Sequence, residues 1–173
     1  KKLIKSSGLL SLKPKIIVCN VDEKSLPGGN KYSDVCKKKI SNENIVVVCA
    51  DIEDQIMGLG EKDRENFMLG AGIKKTGLDT LIKTGYDILG LNTFFTSGPE
   101  ETRAWTTEKN SKAVNAAGVI HTDFKKSFIR AETVSYDDFV KYKSFNECKI
   151  AGKLRLEGKD YIIKDGEVLF FRV

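Results

Sequence analysis

Residues 13–23 read KPKIIVCNVDE, and the parsing of the whole chain starts from them. After Pro14, Lys15 to Cys19 is a continuous apolar run rich in β-branched residues. A run of this kind predicts a strand buried on both faces, as in parallel sheets covered by helices. It stops at Asn20, Val21, Asp22 and Glu23, and Leu26 to Asn30 is a loop by composition. Residues 45–49, IVVVC, repeat the strand signal, and residues 32–40 between the two have the length of a short helix. Two such strands with a helical connection form a βαβ unit whose crossover is right-handed.

Further along, residues 53–59 and 61–69 predict two short helices, the second closing at Gly70 and Gly72. Thr76, Gly77, Leu78 and Asp79 fit a capping box, with the hydroxyl and the carboxylate satisfying free backbone N–H groups. Leu78, Leu81, Ile82 and Leu89 then mark one face of an amphipathic helix that ends at Gly90. Beyond Leu91 the period changes. Residues 93–96 and 102–106 predict strands, residues 111–119 an Ala-rich helix capped by Ser111, and residues 129–135 a third strand. Residues 145–151 are read as helical. Residues 161–163 and 168–171 predict a hairpin around Asp165 and Gly166, a strong turn dipeptide. The order β-β-α-β-β-β suits a small mixed sheet curved around one helix, a β-grasp arrangement. With no linker by composition, the two parts are expected to pack closely.

Composition sets bounds on function. The chain has 173 residues, 40% hydrophobic and 31% charged, which is too apolar for disorder and sufficient for a core. Its net charge of +5 is spread evenly, so it permits RNA binding without arguing for it. The four cysteines (Cys19, Cys36, Cys49 and Cys148) include no C-x-x-C pair, and His121 is the sole histidine, which argues against a zinc site. Cys19 and Cys49 sit in apolar runs, the signature of a reduced, cytoplasmic protein. No apolar run approaches the roughly 18 residues of a membrane span, and the opening KKLIKSSGLLSL is too interrupted for a signal peptide. The sequence does not begin with Met, so it is expected to start within a longer protein.

The chemistry in the first part lies at Asn20, Val21, Asp22 and Glu23, at the carboxyl end of a buried strand, where open α/β sheets bind ligands. An Asn amide offers a donor and an acceptor to a purine edge and can tie neighbouring loops together. A carboxylate two or three residues on can select among bases: an Asp accepts from the N1–H and the exocyclic amine of guanine, a pair that adenine does not present. Cys49, Ala50 and Asp51 end the neighbouring strand, where backbone N–H groups reach the same base.

These residues resemble the Obg-like ATPases, the YchF-type subfamily of translation-factor-related P-loop NTPases. The likeness is carried by residues 13–23, by VCADIE at 48–53 and by GYDILGLNTFFT at 85–96. It continues with RAWT at 103–106, AGVIHTDF at 117–124 and AGKLRLEGKDY at 151–161. It implies an α/β chain made of the C-terminal part of a P-loop NTPase domain followed by a β-grasp (ubiquitin-like) TGS domain. Residues 1–12 would end an inserted helical domain, residues 13–91 belong to the nucleotide-binding domain, and residues 92–173 form the TGS domain. By the same resemblance, Asn20, Val21 and Glu23 with Cys49 and Ala50 contact the base of ATP (or GTP), Glu23 standing where GTPases carry the guanine-reading Asp. Asp51 departs from the Lys usual at its place, which leaves backbone contacts there. Mg²⁺-dependent hydrolysis of ATP, coupled to contact with the ribosome or structured RNA, is the activity implied for the intact protein.

The sequence has no G-x-x-x-x-G-K-[S/T] loop to cradle phosphates, so this chain is expected to hydrolyse nothing alone. A non-enzymatic RNA- or ribosome-binding module is the alternative. Lys125, Lys126, Arg130, Lys153, Arg155 and Lys159 are the candidate phosphate contacts, and Phe94, Phe95 and Trp105 the candidate stacking platforms. His121, without a nucleophile or metal in reach, is read as a structural turn. An oligomerisation or regulatory surface leaves no distinctive mark in the residues.

Overall fold

The computed structural model describes residues 8–40 and 44–173. They fall into two compact units, one ending at Leu89 and the other running from Gly90 to Val173. Of the stretch read as the end of a helical domain, residues 1–7 lie outside the described residues, and Leu10–Leu12 form a single 3-10 turn.

In unit 1, β1 (Ile16–Asn20) and β2 (Asn44–Val48) pair in parallel, with Ile16 opposite Asn44 and Asn20 opposite Val48. Helix α1 (Lys31–Lys39) makes the crossover. It starts in a capping box: Asn30 Oδ1 accepts from the Tyr32 and Ser33 amides, and Ser33 Oγ accepts from the Asn30 amide. The expectation of strands buried on both faces holds only in part. Val46 is buried, but Val18 is 45% exposed, because this two-stranded sheet covers only part of its own apolar surface.

Helices α2 (Ala50–Met57), α3 (Glu61–Gly70) and α4 (Gly77–Leu89) follow. Cys49, Ile52 and Ile56 form a small buried cluster against Leu26, Phe67, Met68 and Ile73. One arm of the cap expected on α4 is present: Thr76 Oγ1 accepts from the Asp79 amide at 3.0 Å. The first two amides of the helix are taken instead by Glu53 of α2, whose carboxylate accepts from Gly77 at 2.6 Å and Leu78 at 3.3 Å. Gly77 is required by this close approach, since a Cβ there would stand 2.7 Å from Val48 Cγ1.

Unit 2 is a five-stranded mixed sheet of order β4-β3-β7-β5-β6. The strands are β3 (Leu91–Ser97), β4 (Thr102–Glu108), β5 (Arg130–Val134), β6 (Arg155–Glu157) and β7 (Val168–Arg172). The central β3–β7 pair is parallel and the other pairs antiparallel, which is the β-grasp topology. Helix α5 (Ala113–Ile120) lies over one face, and α6 (Thr122–Lys126) follows it. Phe94, Ala113, Ala116, Ala117, Phe128, Ala131, Ile163, Leu169 and Phe171 form the core. On the opposite face, α7 (Tyr136–Tyr142) and α8 (Phe145–Ile150) contribute aromatic contacts: Tyr136 to Phe95 at 5.8 Å and Phe145 to Phe170 at 6.0 Å.

Three local expectations are corrected here. Residues 161–163 form no strand; Ile162 makes one isolated bridge to Lys112, and β7 pairs with β3 and β5 instead. The Asp165–Gly166 turn therefore joins no hairpin. Asp165 Oδ1 accepts from the Thr93 amide at 2.7 Å, and the Gly166 amide donates to Thr93 O at 2.8 Å, so the turn locks onto β3. Ser111 is not the cap of α5: Lys112 holds that position with no side-chain capping bond, and Ser111 O accepts from the Ile163 amide.

Candidate functional site

The ends of β1 and β2 bring the first set of candidate residues together. Asn20 pairs with Val48 at the last rung, and the Val21 amide extends the ladder by donating to Val48 O at 2.8 Å. Cys49 is the N-cap residue of α2, and Ala50 its first residue. The amide of Ala50 donates to Asn20 Oδ1 at 3.0 Å. A helix start leaves its first N–H groups without intrahelical partners, and the strand-end Asn supplies one. One lone pair of the Asn20 side-chain oxygen is thus engaged by the second loop, and the amide N–H donors remain for a ligand.

The other residues of this set differ in what they can offer. The Cys49 thiol is buried, so only its main chain borders the strand end. Val21 is buried as well, with its amide already bonded. Glu23 opens a 3-10 turn, Glu23–Ser25, and is exposed. It borders a cavity of 360 Å³ with Lys24, Leu26, Ile52, Ala71 and Ile73, of which Asn20 is not a wall. Asn20, Val21, Cys49 and Ala50 therefore meet, while Glu23 stands beside them on its own apolar hollow. Among the described residues no group of acidic, Cys or His side chains is arranged to hold a metal ion.

The six cations proposed for RNA are dispersed over unit 2. Lys125 and Lys126 belong to α6; Lys126 pairs with Asp123 at 3.1 Å, and the stem of Lys125 lies against Gly118. Arg130 opens β5, whereas Arg155 lies in β6 opposite Thr133. Side chains alternate along a strand, so Arg155 shares the α5 side with Ala131 and Thr133, and Arg130 faces the other way. Lys153 and Lys159 are exposed in the loops on either side of β6.

Arg155 is engaged within the unit. Its guanidinium donates to Glu167 and, at 3.2 Å, to the Tyr161 hydroxyl, while Tyr161 donates to Glu167 Oε1 at 2.7 Å. The Lys164 amide completes the set around buried Glu167 at 3.0 Å. Burial first, and then the hydrogen bond and charge of Glu167, push the Tyr161 phenol up to about 12.

The aromatic candidates are partly core. Phe94 is fully buried, and Phe95 packs on Tyr136. Trp105 donates from Nε1 to Thr96 Oγ1 at 2.9 Å and carries the Arg103 guanidinium 4.3 Å over its ring. With Ile120, Phe124, Leu169 and Phe171 it lines a cavity of 540 Å³ under the β3–β4 turn. His121 is structural: its Nδ1 accepts from the Asp123 amide at 3.2 Å and so caps α6.

Lys149 and Arg172 went unnoticed in the sequence. With Arg130 they line a second cavity of 360 Å³, beneath α8 and against β5, β6 and β7. No sequence spacing links positions 130, 149 and 172; only the topology does.

The family YchF-GTPase_C, described as a protein of unknown function (DUF933), matches residues 91–173. The chain is 46% identical to the "Ribosome-binding ATPase YchF" of Bacillus subtilis (strain 168), over 99% of this chain and 48% of that protein. It is 44% identical to the protein of the same name in Escherichia coli O157:H7, over 99% of this chain and 47% of that one. The solved Schizosaccharomyces pombe "YchF GTPase" superposes with a TM-score of 0.83 at 35% identity, covering 99% of this chain and 46% of that one. The chain thus spans about half the length of the curated relatives it matches.

Proposed function

From the premise that this chain is the C-terminal part of a YchF-type protein, homologous over nearly its whole length, we propose that the intact protein is a cytoplasmic, ribosome-binding ATPase. Unit 1 receives the adenine base, and unit 2, as a TGS domain, meets the ribosome through its RNA. Asn20 reads the base through its amide donors, Glu23 through its carboxylate and Ala50 through main-chain contact, while buried Val21 and Cys49 hold that edge in place. A Glu carries its carboxylate one methylene further than the Asp that would accept from guanine, which weakens the selection of guanine; the preference for ATP is carried over from the family resemblance. Phosphates and Mg²⁺ are held by residues outside this chain's sequence, and hydrolysis belongs to the intact protein.

The observation that supports this most directly is the Asn20–Ala50 bond, which ties the two loops a base would touch into one rigid edge. The names of the relatives differ on the nucleotide, ATPase in one case and GTPase in another, so the choice of base is the point to test. Titration of the intact protein with fluorescent ATP and GTP analogues measures it. Asn20→Ala weakens both nucleotides about tenfold, the value of one or two hydrogen bonds. Glu23→Ala changes their ratio. A ratio indifferent to Glu23 overturns the base-reading assignment.

A second reading, a non-enzymatic ribosome-binding module, is favoured by the self-contained core of unit 2. Sedimentation of the chain with ribosomes in the absence of nucleotide, at wild-type efficiency, would support it.

A further inference from the structure

Resting on that reading of unit 2, we propose that the cavity beneath α8 is a phosphate-binding site for the backbone of RNA. Three cations on three separate elements line this 360 Å³ hollow: Arg130 of β5, Lys149 of α8 and Arg172 of β7. Asn146 adds an amide, and Phe145, Leu154 and Leu156 supply its apolar walls. Glu132 is the one carboxylate among these residues. It is already spent on Arg172, whose Nε and Nη2 donate to its two oxygens at 2.9 and 3.4 Å. Arg172 also stacks 4.4 Å over Phe170, so its guanidinium is fixed and its charge compensated.

Arg130 and Lys149 have no ion-pair partner among the described residues. Two uncompensated positive charges therefore border one concave surface beside the fixed Arg172 guanidinium. A guanidinium fork beside a point-charge ammonium suits a phosphodiester, which accepts from both. Leu156, 62% exposed at the same hollow, offers apolar surface to a ribose or base face. Two of the other candidates are already engaged: Lys126 is paired with Asp123, and Arg155 is held by Glu167 on the other side of the sheet.

The test compares two double variants of the 173-residue chain, R130Q/K149Q and K125Q/K126Q, each checked for folding by circular dichroism and Trp105 fluorescence. Binding to a labelled oligouridylate is measured at two salt concentrations, and binding to ribosomes by sedimentation with oligouridylate as competitor. R130Q/K149Q is expected to weaken oligouridylate binding roughly tenfold at low salt. It lowers the slope of log K against log salt by about 1.4, at roughly 0.7 per lost contact. K125Q/K126Q stays near wild type. Wild-type affinity and slope in folded R130Q/K149Q overturn the site, as does a loss carried by K125Q/K126Q instead. Ribosome binding that oligouridylate does not compete points to a protein partner and overturns it equally. A wild-type chain that fails to sediment with ribosomes defeats the broader reading of unit 2, an outcome distinct from a failure of the cavity alone.

Discussion

Unit 2 gathers nine buried residues into one cluster, from Phe94 on β3 to Phe171 on β7, whereas the cluster described in unit 1 has only Cys49, Ile52 and Ile56. The contrast follows from the sheets. Five strands with helices on both faces enclose a core, while a two-stranded sheet is marginal by itself. In unit 1, Val18, Leu78 and Ile82 remain 45%, 41% and 52% exposed, although their sequence pattern is that of buried positions. Apolar patterning therefore states what a segment is able to bury, and the strands available around it decide what it does bury.

The sharpest way to break this comparison is to cut into each unit at its patterned apolar strand. Phe94 is fully buried and meets Phe171 edge-on at 6.1 Å. Phe94→Ala is expected to destabilise unit 2 by about 3–5 kcal/mol through lost transfer energy and a cavity. Val18→Ala, at a half-exposed position, should cost no more than about 0.5 kcal/mol. Trp105 is the sole tryptophan and lies in β4, so urea unfolding followed by its fluorescence reports on unit 2. Circular dichroism follows both units. Equal costs at the two positions would show that the units are equally closed.

The sequence was legible where the physics is local. The β-branched runs read at 15–19 and 45–49 became β1 and β2, each offset by one residue, and the periodicity at 78–89 became α4, because strand and helix patterns are written within a few residues. Strand β6 was missed because it is three residues long and outward-facing, and only its pairing with Ala131, Glu132 and Thr133 makes it a strand. Helix α7 did carry a local signal that went unread. Ser135 Oγ accepts from the Asp138 amide and donates to the Asp138 carboxylate, a capping pair visible in the spacing. In the candidate site, the tie made by Asn20 was foreseeable from its chemistry at a strand end. The convergence of Arg130, Lys149 and Arg172 was not, since it arises only when β7 inserts between β3 and β5.

A smaller effect sharpens the contrast within unit 1. There a helix start is held by a carboxylate 24 residues away in sequence, Glu53 to Gly77, rather than by burial. Glu53→Ala leaves the Gly77 and Leu78 amides without that acceptor and should cost about 1–2 kcal/mol, a typical capping value. The loss belongs to unit 1, so it is read in the circular-dichroism transition while the Trp105 transition stays in place. A shift of the Trp105 midpoint by the same amount would mean that the two units unfold as one.

An effect of similar size concerns the polar lock of unit 2 and its pH dependence. Tyr161 titrates near 12 in the folded chain against an ordinary value of 10.0, so the folded state holds its proton more tightly than the unfolded state does. Stability from this group is complete below pH 10 and falls as pH rises from 10 to 12, since there the unfolded state releases the proton first. Tyr161→Phe removes the titrating group and deprives Glu167 of one donor, leaving Arg155 and the Lys164 amide. At neutral pH the variant should be less stable by about 1 kcal/mol, the net value of one hydrogen bond. Melting curves collected from pH 8 to 12 should then converge, the wild type losing its advantage at the alkaline end. A gap that stays constant across that range would mean that the phenol is not held by Glu167 in the folded chain.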